Sequence, residues 1–236
     1  MEADELHALW IGVAQYALGS ILWLLIFKKL RDSTQANLEA VWTKIQVYGG
    51  SAYTRLDLKM FMDVKDATQY PKLKGRGGQV KSLVEPLLRA WNDFMDQADA
   101  HDVRVMDLLE ALLKISDIIG QTSKAIFMPE EDCQGLMETI EVFLALYTEL
   151  GVRADDEFDF LFPGVPKLHW LWHMGFRAVW LHVRRVACWL DEDYMKFVKK
   201  LAASCSYGMK RHMVPHKLMT KYRQSLGLKE KGWVRG

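Results

Sequence analysis

Apolar positions recur every three or four residues over most of the chain, which is the spacing of amphipathic helices. Three stretches show this spacing most clearly, at residues 80–95, 105–119 and 136–150. Their predicted core faces are Val80, Leu83, Val84, Leu87, Leu88, Trp91 and Met95; Val105, Leu108, Leu109, Leu112, Ile115 and Ile119; and Leu136, Ile140, Phe143, Tyr147 and Leu150. Because no run of alternating residues indicates strands, the sequence predicts an all-α fold: a multi-helix bundle with a basic helical C-terminal part.

Capping and breaking residues predict where two of these helices begin and end. Ser33 or Thr34 is suited to cap a helix that stops at Gly49-Gly50. A later helix is predicted to open at Pro129, where the acidic residues that follow suit a first turn, and to close at Gly151.

These boundaries predict four regions along the chain. A helical bundle at residues 1–152 is followed by an acidic, proline-containing linker at 153–167. A basic helical segment at 168–228 and a frayed tail at 229–236 complete the prediction.

The first long apolar run has two interpretations. No charged residue interrupts Ala8 to Phe27, and twenty helical residues span about 30 Å, which suits either a bilayer core or a buried helix. An acidic start makes a cleavable signal peptide a poor interpretation. We favour a core helix, because the helices that follow could enclose it, and keep a single-pass membrane anchor at residues 8–27 as the alternative. The small stripe of Ala8, Gly12, Gln15 and Gly19 would let a neighbouring helix approach in either case.

The charge is close to neutral overall but unevenly distributed. From Lys167 to the C-terminus there are 15 lysines and arginines against 4 acidic residues, whereas the preceding residues hold 16 and 26. Such asymmetry suggests an anionic partner, either nucleic acid or lipid headgroups. Attraction between the two parts of the chain is the other explanation.

The basic part also contains aromatic residues, which together with cations are typical of nucleic-acid surfaces. A solvated helix face with its aromatic residues packed inward would give the same pattern. Four tryptophans near its start are predicted to be core or interface residues: Trp170, Trp172, Trp180 and Trp189.

Two histidine pairs suggest metal ligation. His169 and His173 are four residues apart, which places both on one helix face, but the His-Glu-x-x-His protease pattern is absent. A second set that could bind zinc is Cys188, Cys205, His212 and His216. Its two cysteines are far apart for a structural zinc site, so packing histidines or phosphate contacts explain this set better than zinc does. Three widely spaced cysteines also indicate a reducing compartment rather than a disulfide framework.

Two short motifs resemble cut-and-paste DDE transposases of the hAT and CACTA type. Asp4-Glu-Leu-His7 resembles the Asp/Cys-x-x-His signature that precedes a long helical insertion in their RNase H-like core. Some 150 residues later, Pro166-Lys167-Leu-His169 resembles the segment before the helix that bears the last catalytic acid. The resemblance implies that Glu192 is that metal-binding acid. It also implies a DNA-binding surface formed by Lys199, Lys200, Lys210, Arg211, Lys217, Lys221 and Arg223.

The strands and the other aspartates of such a core would lie before residue 1. Two-metal phosphoryl transfer needs several carboxylates, so the resemblance implies a catalytically incomplete, transposon-derived protein rather than an enzyme. We expect no cofactor, and a divalent metal only if a complete core exists. DNA, a membrane through residues 8–27, and a protein partner or missing upstream domain are the expected partners. The expected location is nuclear or cytoplasmic, with a membrane as the alternative. A further alternative for the function is a helical protein-interaction scaffold.

Overall fold

A computed structural model describes residues 4–50, 53–62, 69–157, 159–185, 199–205 and 213–230. Helices account for most of these residues and none of them forms a strand, so the all-α prediction is confirmed. The helices are α1 (Glu5–Lys29), α2 (Thr34–Val47), α3 (Gly77–Phe94), α4 (Ala100–Gln121), α5 (Glu130–Asp156), α6 (Pro166–Arg177), α7 (residues 199–205) and α8 (Val214–Glu230). Short 3₁₀ turns lie at Leu58–Met60 and Val183–Arg185.

The chain divides into two compact units, Met1–Ala187 and Cys188–Gly236. The sequence places the boundary near residue 168, before α6. The structure places it later, because α6 packs against both α1 and α5 and so belongs to the first unit.

The first unit is built around α1. Its central stretch Ala14–Leu24 is α-helical, whereas Glu5–Val13 and Leu25–Lys29 have the wider π-helical turn. Gly12 is non-helical within it, with φ −111° and ψ −110°, and bends the chain. Most of the apolar side chains of α1 are fully buried, which shows that this helix forms part of the hydrophobic core.

Gly19, in the small stripe on α1, allows close approach of a non-helical segment of the chain. A β-carbon on Gly19 would lie 2.8 Å from the carbonyl group of Pro71, so the extended segment 71–75 crosses α1 at this point. Two hydrogen bonds fix the crossing: Leu73 N–H donates to the Gln15 carbonyl at 2.8 Å, and the Gln15 side-chain amide donates to the Gly75 carbonyl at 3.2 Å.

The predicted core faces of α4 and α5 are buried in full, and on α3 only Leu88 and Met95 are half-exposed. Ser33 caps α2 as predicted, accepting a hydrogen bond from Ala36 N–H. The predicted end of α5 at Gly151 is wrong. The helix continues to Asp156, and Gly151 is instead a point of close approach, where a β-carbon would meet the Phe162 carbonyl oxygen at 2.7 Å.

Candidate functional site

The Asp4-x-x-His7 motif forms the N-terminal cap of α1. Asp4 Oδ1 accepts a hydrogen bond from His7 N–H at 3.1 Å, and Oδ2 lies 2.9 Å from His7 Nδ1. The Asp4 carboxylate is almost completely buried, whereas the His7 side chain is 41% exposed. Both oxygens of Asp4 are thus engaged in holding the start of the helix, which is the ordinary task of an aspartate at this position.

Lys167, from the second motif, reaches the same corner of the first unit. Its ammonium donates to the Ile11 carbonyl at 3.0 Å, and its side chain crosses Gly12, where a β-carbon would lie 3.0 Å from Lys167 Cδ. Burial lowers the pKa of Lys167, the charge of Lys72 lowers it further, and Asp4 opposes the shift. The structure therefore brings Asp4, His7 and Lys167 together across more than 150 residues of sequence.

His169, the fourth motif residue, points elsewhere and pairs with His173 on α6. Their Nε2 atoms are 3.0 Å apart, and the two rings meet edge to face with centroids separated by 4.4 Å. Both side chains lie on the outer side of the helix, opposite the buried Leu171 and Met174.

A buried polar cluster next to this corner was not predicted. Glu5 is only 1% exposed, and its Oε1 accepts a hydrogen bond from the Trp10 indole N–H at 2.7 Å. Lys81 Nζ lies 3.6 Å from the same oxygen and 5.4 Å from the centre of the Trp10 ring. In the sequence Glu5 is visible only as part of an acidic start, because neither Trp10 nor Lys81 is identifiable as its partner without the fold.

His182 is fully buried in the same unit, and its tautomer follows from its neighbours. Its Nδ1 accepts a hydrogen bond from Arg184 N–H at 3.1 Å, so the proton is on Nε2, which lies 2.8 Å from the Thr122 hydroxyl. Burial lowers the pKa of His182, and the nearby Arg185 charge adds to that effect while Glu5 opposes it. The ring therefore acts as a neutral packing residue that ties the end of α4 to the 3₁₀ turn.

An aromatic strip and an apolar groove occupy the surface between α5 and α6. Phe176 stacks on Trp172 at a centroid distance of 5.9 Å and meets Trp180 edge to face at 5.3 Å. These tryptophans were predicted to be core or interface residues; Trp172 and Trp180 are not in the core, since they are 36% and 63% exposed, and Trp189 lies outside the described residues. Beside the strip lies a groove of about 720 Å³, whose walls include Met128, Cys133, Met137, Phe176, Val179 and Trp180.

The described part of the second unit is rich in lysines and arginines. Residues 199–205 and 213–230 contain six lysines and arginines but a single acidic residue, Glu230. Lys199, Lys200 and Arg223 are exposed, and Lys217 and Lys221 are half-exposed. Lys221 donates to the Ser204 hydroxyl at 3.1 Å, which joins α8 to α7. Lys199, Lys200, Lys217, Lys221 and Arg223 form no ion pair with another residue that the structure describes.

Several predicted site residues lie outside the described residues: Glu192, Lys210, Arg211, Cys188 and His212. Of the remaining zinc candidates, Cys205 is buried and His216 is exposed. Over the described ranges, no three histidine, cysteine or acidic residues come close enough together to hold a metal ion.

The apolar run at the start of the chain is also where a membrane span was considered. Among the described residues, α1 is the single helix long and apolar enough to cross a bilayer, with a mean hydropathy of 1.8. In the structure, 83% of its most apolar window is buried inside the protein.

Comparison with family models, with curated proteins and with solved structures gave no match for this chain.

Proposed function

We propose that this chain is a transposon-derived helical protein that binds DNA through its basic C-terminal unit. The observation that carries the proposal is the excess of lysines and arginines on α7 and α8, which form no ion pair with an acidic residue of the described ranges. Lysines and arginines without carboxylate partners attract phosphates and release their counterions, which supplies most of the free energy of non-specific DNA binding.

The meeting of the two sequence motifs supports the transposon-derived part of the proposal. A domain inserted into another fold must bring its two ends together, because both join the same host core. The stretch between the two motifs would be such an insertion: Asp4 and His7 precede it, Lys167 follows it, and the hydrogen bond from Lys167 to the Ile11 carbonyl brings its ends together. We propose no catalytic step, since Asp4 is occupied as a helix cap.

Charge reversal on α8 tests the DNA proposal. We expect the triple substitution Lys217→Glu, Lys221→Glu and Arg223→Glu to weaken binding of a labelled DNA duplex by at least about tenfold at low salt, and to flatten its dependence on salt concentration. Fluorescence anisotropy of the full chain measures both quantities.

A matched control reverses three exposed lysines of the first unit, Lys59, Lys114 and Lys124, which changes the net charge by the same amount. The control variant should retain most of the wild-type affinity for DNA. Equal losses in the two triple variants would show a non-local charge effect, and no detectable binding by the wild-type chain at low salt would exclude the DNA proposal.

A second function, protein interaction, is favoured by the groove between α5 and α6. We propose that it binds an amphipathic helix whose apolar face is flanked by lysines or arginines. Two exposed aromatic residues and two methionines supply adaptable apolar walls, as in other grooves that receive helices. The charged residues that line the groove are Glu130 and Glu138, so its charge complements a basic flank.

The groove proposal predicts that Trp180→Ala weakens binding of a helical test peptide with a leucine face and lysine flanks by about tenfold or more, since exposed tryptophans in grooves are frequent hot spots. Val152→Ala, another exposed apolar residue of the same unit, is the control. Equally tight binding of a peptide with glutamate flanks, or no effect of Trp180→Ala, would contradict the proposal.

The membrane-anchored alternative needs α1 to leave the bundle. Doing so would expose the carboxylate of Asp102 that Lys29 neutralises and break the hydrogen bonds of Gln15 with the 71–75 segment. Membrane association that resists carbonate and is lost on deletion of residues 8–27 would support this alternative.

A further inference from the structure

We infer that His169 and His173 form a surface site for a divalent transition-metal ion that prefers imidazole ligands, such as Ni²⁺, Cu²⁺ or Zn²⁺. This site shares no residue with the proposed DNA surface or with the apolar groove. It is also separate from the cysteine–histidine set, because neither of those cysteines takes part.

The distance between the two ring nitrogens suits one ion. Imidazole nitrogens bind such metals at about 2.0–2.1 Å, so two of them at adjacent square or octahedral positions lie about 2.9 Å apart, and two at tetrahedral positions about 3.3 Å. The observed Nε2 to Nε2 distance is 3.0 Å. A metal bound by both nitrogens lies off the line that joins them, so each imidazole must turn until its Nε2 lone pair points at the ion, while the separation of the two nitrogens need hardly change.

The helix holds both ligands in place before a metal arrives. Residues four apart lie one turn above each other on the same face, and α6 is fixed by its packing on α1 and α5. Leu171, Met174 and Gly175 point into the core, which leaves the two histidines facing solvent. The edge-to-face contact of Trp172 with the His173 ring, at 5.1 Å, further restricts that ring.

The proton balance of binding is simple. In the histidine pair, one ring donates its Nε2 hydrogen to the lone pair on the other Nε2. When the metal binds, both Nε2 lone pairs are ligands, and the donor ring moves its proton to Nδ1 through solvent. Both Nδ1–H groups then remain hydrated, and no net proton is released if both rings start neutral.

With two protein ligands, the other coordination positions belong to water, since no third histidine, cysteine or carboxylate of the described residues joins the pair. The site is therefore open, like metal sites that accept an external ligand, and unlike closed structural zinc sites.

Isothermal titration of the untagged full-length chain with NiCl₂ and with ZnCl₂ tests the site. We expect one equivalent of Ni²⁺ whose affinity falls at least about tenfold in His169→Gln and equally in His173→Gln, because the second imidazole binds intramolecularly. His216→Gln, an exposed histidine of the other unit, should retain the full affinity.

Circular dichroism would show that each variant keeps its helices, as expected for exposed residues. Unchanged Ni²⁺ affinity in both His169→Gln and His173→Gln would overturn the inference. So would a metal equivalent that disappears in His216→Gln but remains in His169→Gln, which would place the binding in the C-terminal unit.

Discussion

Replacing Lys29 with methionine should lower the free energy of unfolding by about 3 kcal/mol, because it leaves a buried carboxylate without its cation. Asp102 is fully buried, and its Oδ2 receives the Lys29 ammonium and the Asp96 N–H, the latter at 2.8 Å. The Lys29 side chain is itself one-fifth exposed, so the loss lies at the lower end of the range for buried pairs. Urea unfolding at neutral pH measures it.

Lys28→Met is the matched control, since it makes the same change one residue earlier. Lys28 pairs with Asp159 at 2.9 Å, but nearly half of its side chain is exposed. Loss of this ion pair should therefore lower the free energy of unfolding by less than about 1 kcal/mol. Similar destabilisation by the two substitutions would contradict the burial of the Lys29–Asp102 ion pair between the end of α1 and the start of α4.

Gly19→Val should also lower the free energy of unfolding by about 3 kcal/mol, because the new side chain meets backbone rather than a movable side chain. The β-carbon alone would lie 2.8 Å from the Pro71 carbonyl carbon and oxygen and 2.9 Å from Lys72 N. To make room, the 71–75 segment must move away from α1 and give up its hydrogen bonds with Gln15. Thermal or urea unfolding reports the loss.

The control for this prediction is Gly120→Val, at a helical glycine whose β-carbon would meet nothing within 4 Å. Its effect should stay within about 0.5 kcal/mol, as for other open surface positions. Equal stability of Gly19→Val and the wild-type chain would mean that the 71–75 segment does not cross α1 in solution.

Much of the helical architecture was predictable because it is local. Periodicity identified the core faces of α3, α4 and α5, and Ser33 marked the start of α2 through its own side-chain chemistry. The end of α5 was placed too early because Gly151 has the appearance of a helix terminator. Its actual role is to admit the Phe162 carbonyl, a contact that no local pattern encodes.

The long-range parts of the candidate site were not predictable for the same reason. The 71–75 segment is extended and lacks periodicity, so nothing in it indicates that it covers Gly19. Glu5 looks like a solvated acidic residue until Trp10 and Lys81 are seen around it. The exposure of Trp180 likewise depends on how α6 sits against α5, which an amphipathic pattern does not specify.

The two motifs illustrate what a sequence resemblance does and does not supply. It singled out Asp4, His7 and Lys167, and these three residues do share one corner of the first unit. It also grouped His169 with them, whereas that residue pairs with His173 on the outside of α6. A transposon origin therefore stays a proposal, supported by the contact that brings the two motifs together.

Both functional proposals depend on one claim, that α1 is an internal helix of a water-soluble helical unit. Hydrogen–deuterium exchange of the full-length chain in detergent-free buffer tests it most directly, because amides in a core helix exchange only when the unit opens. We predict a monodisperse chain in which peptides covering residues 14–24 are among the slowest to exchange. A chain that stays in solution only with detergent or lipid, or rapid exchange throughout residues 14–24 in a soluble chain, would contradict the account.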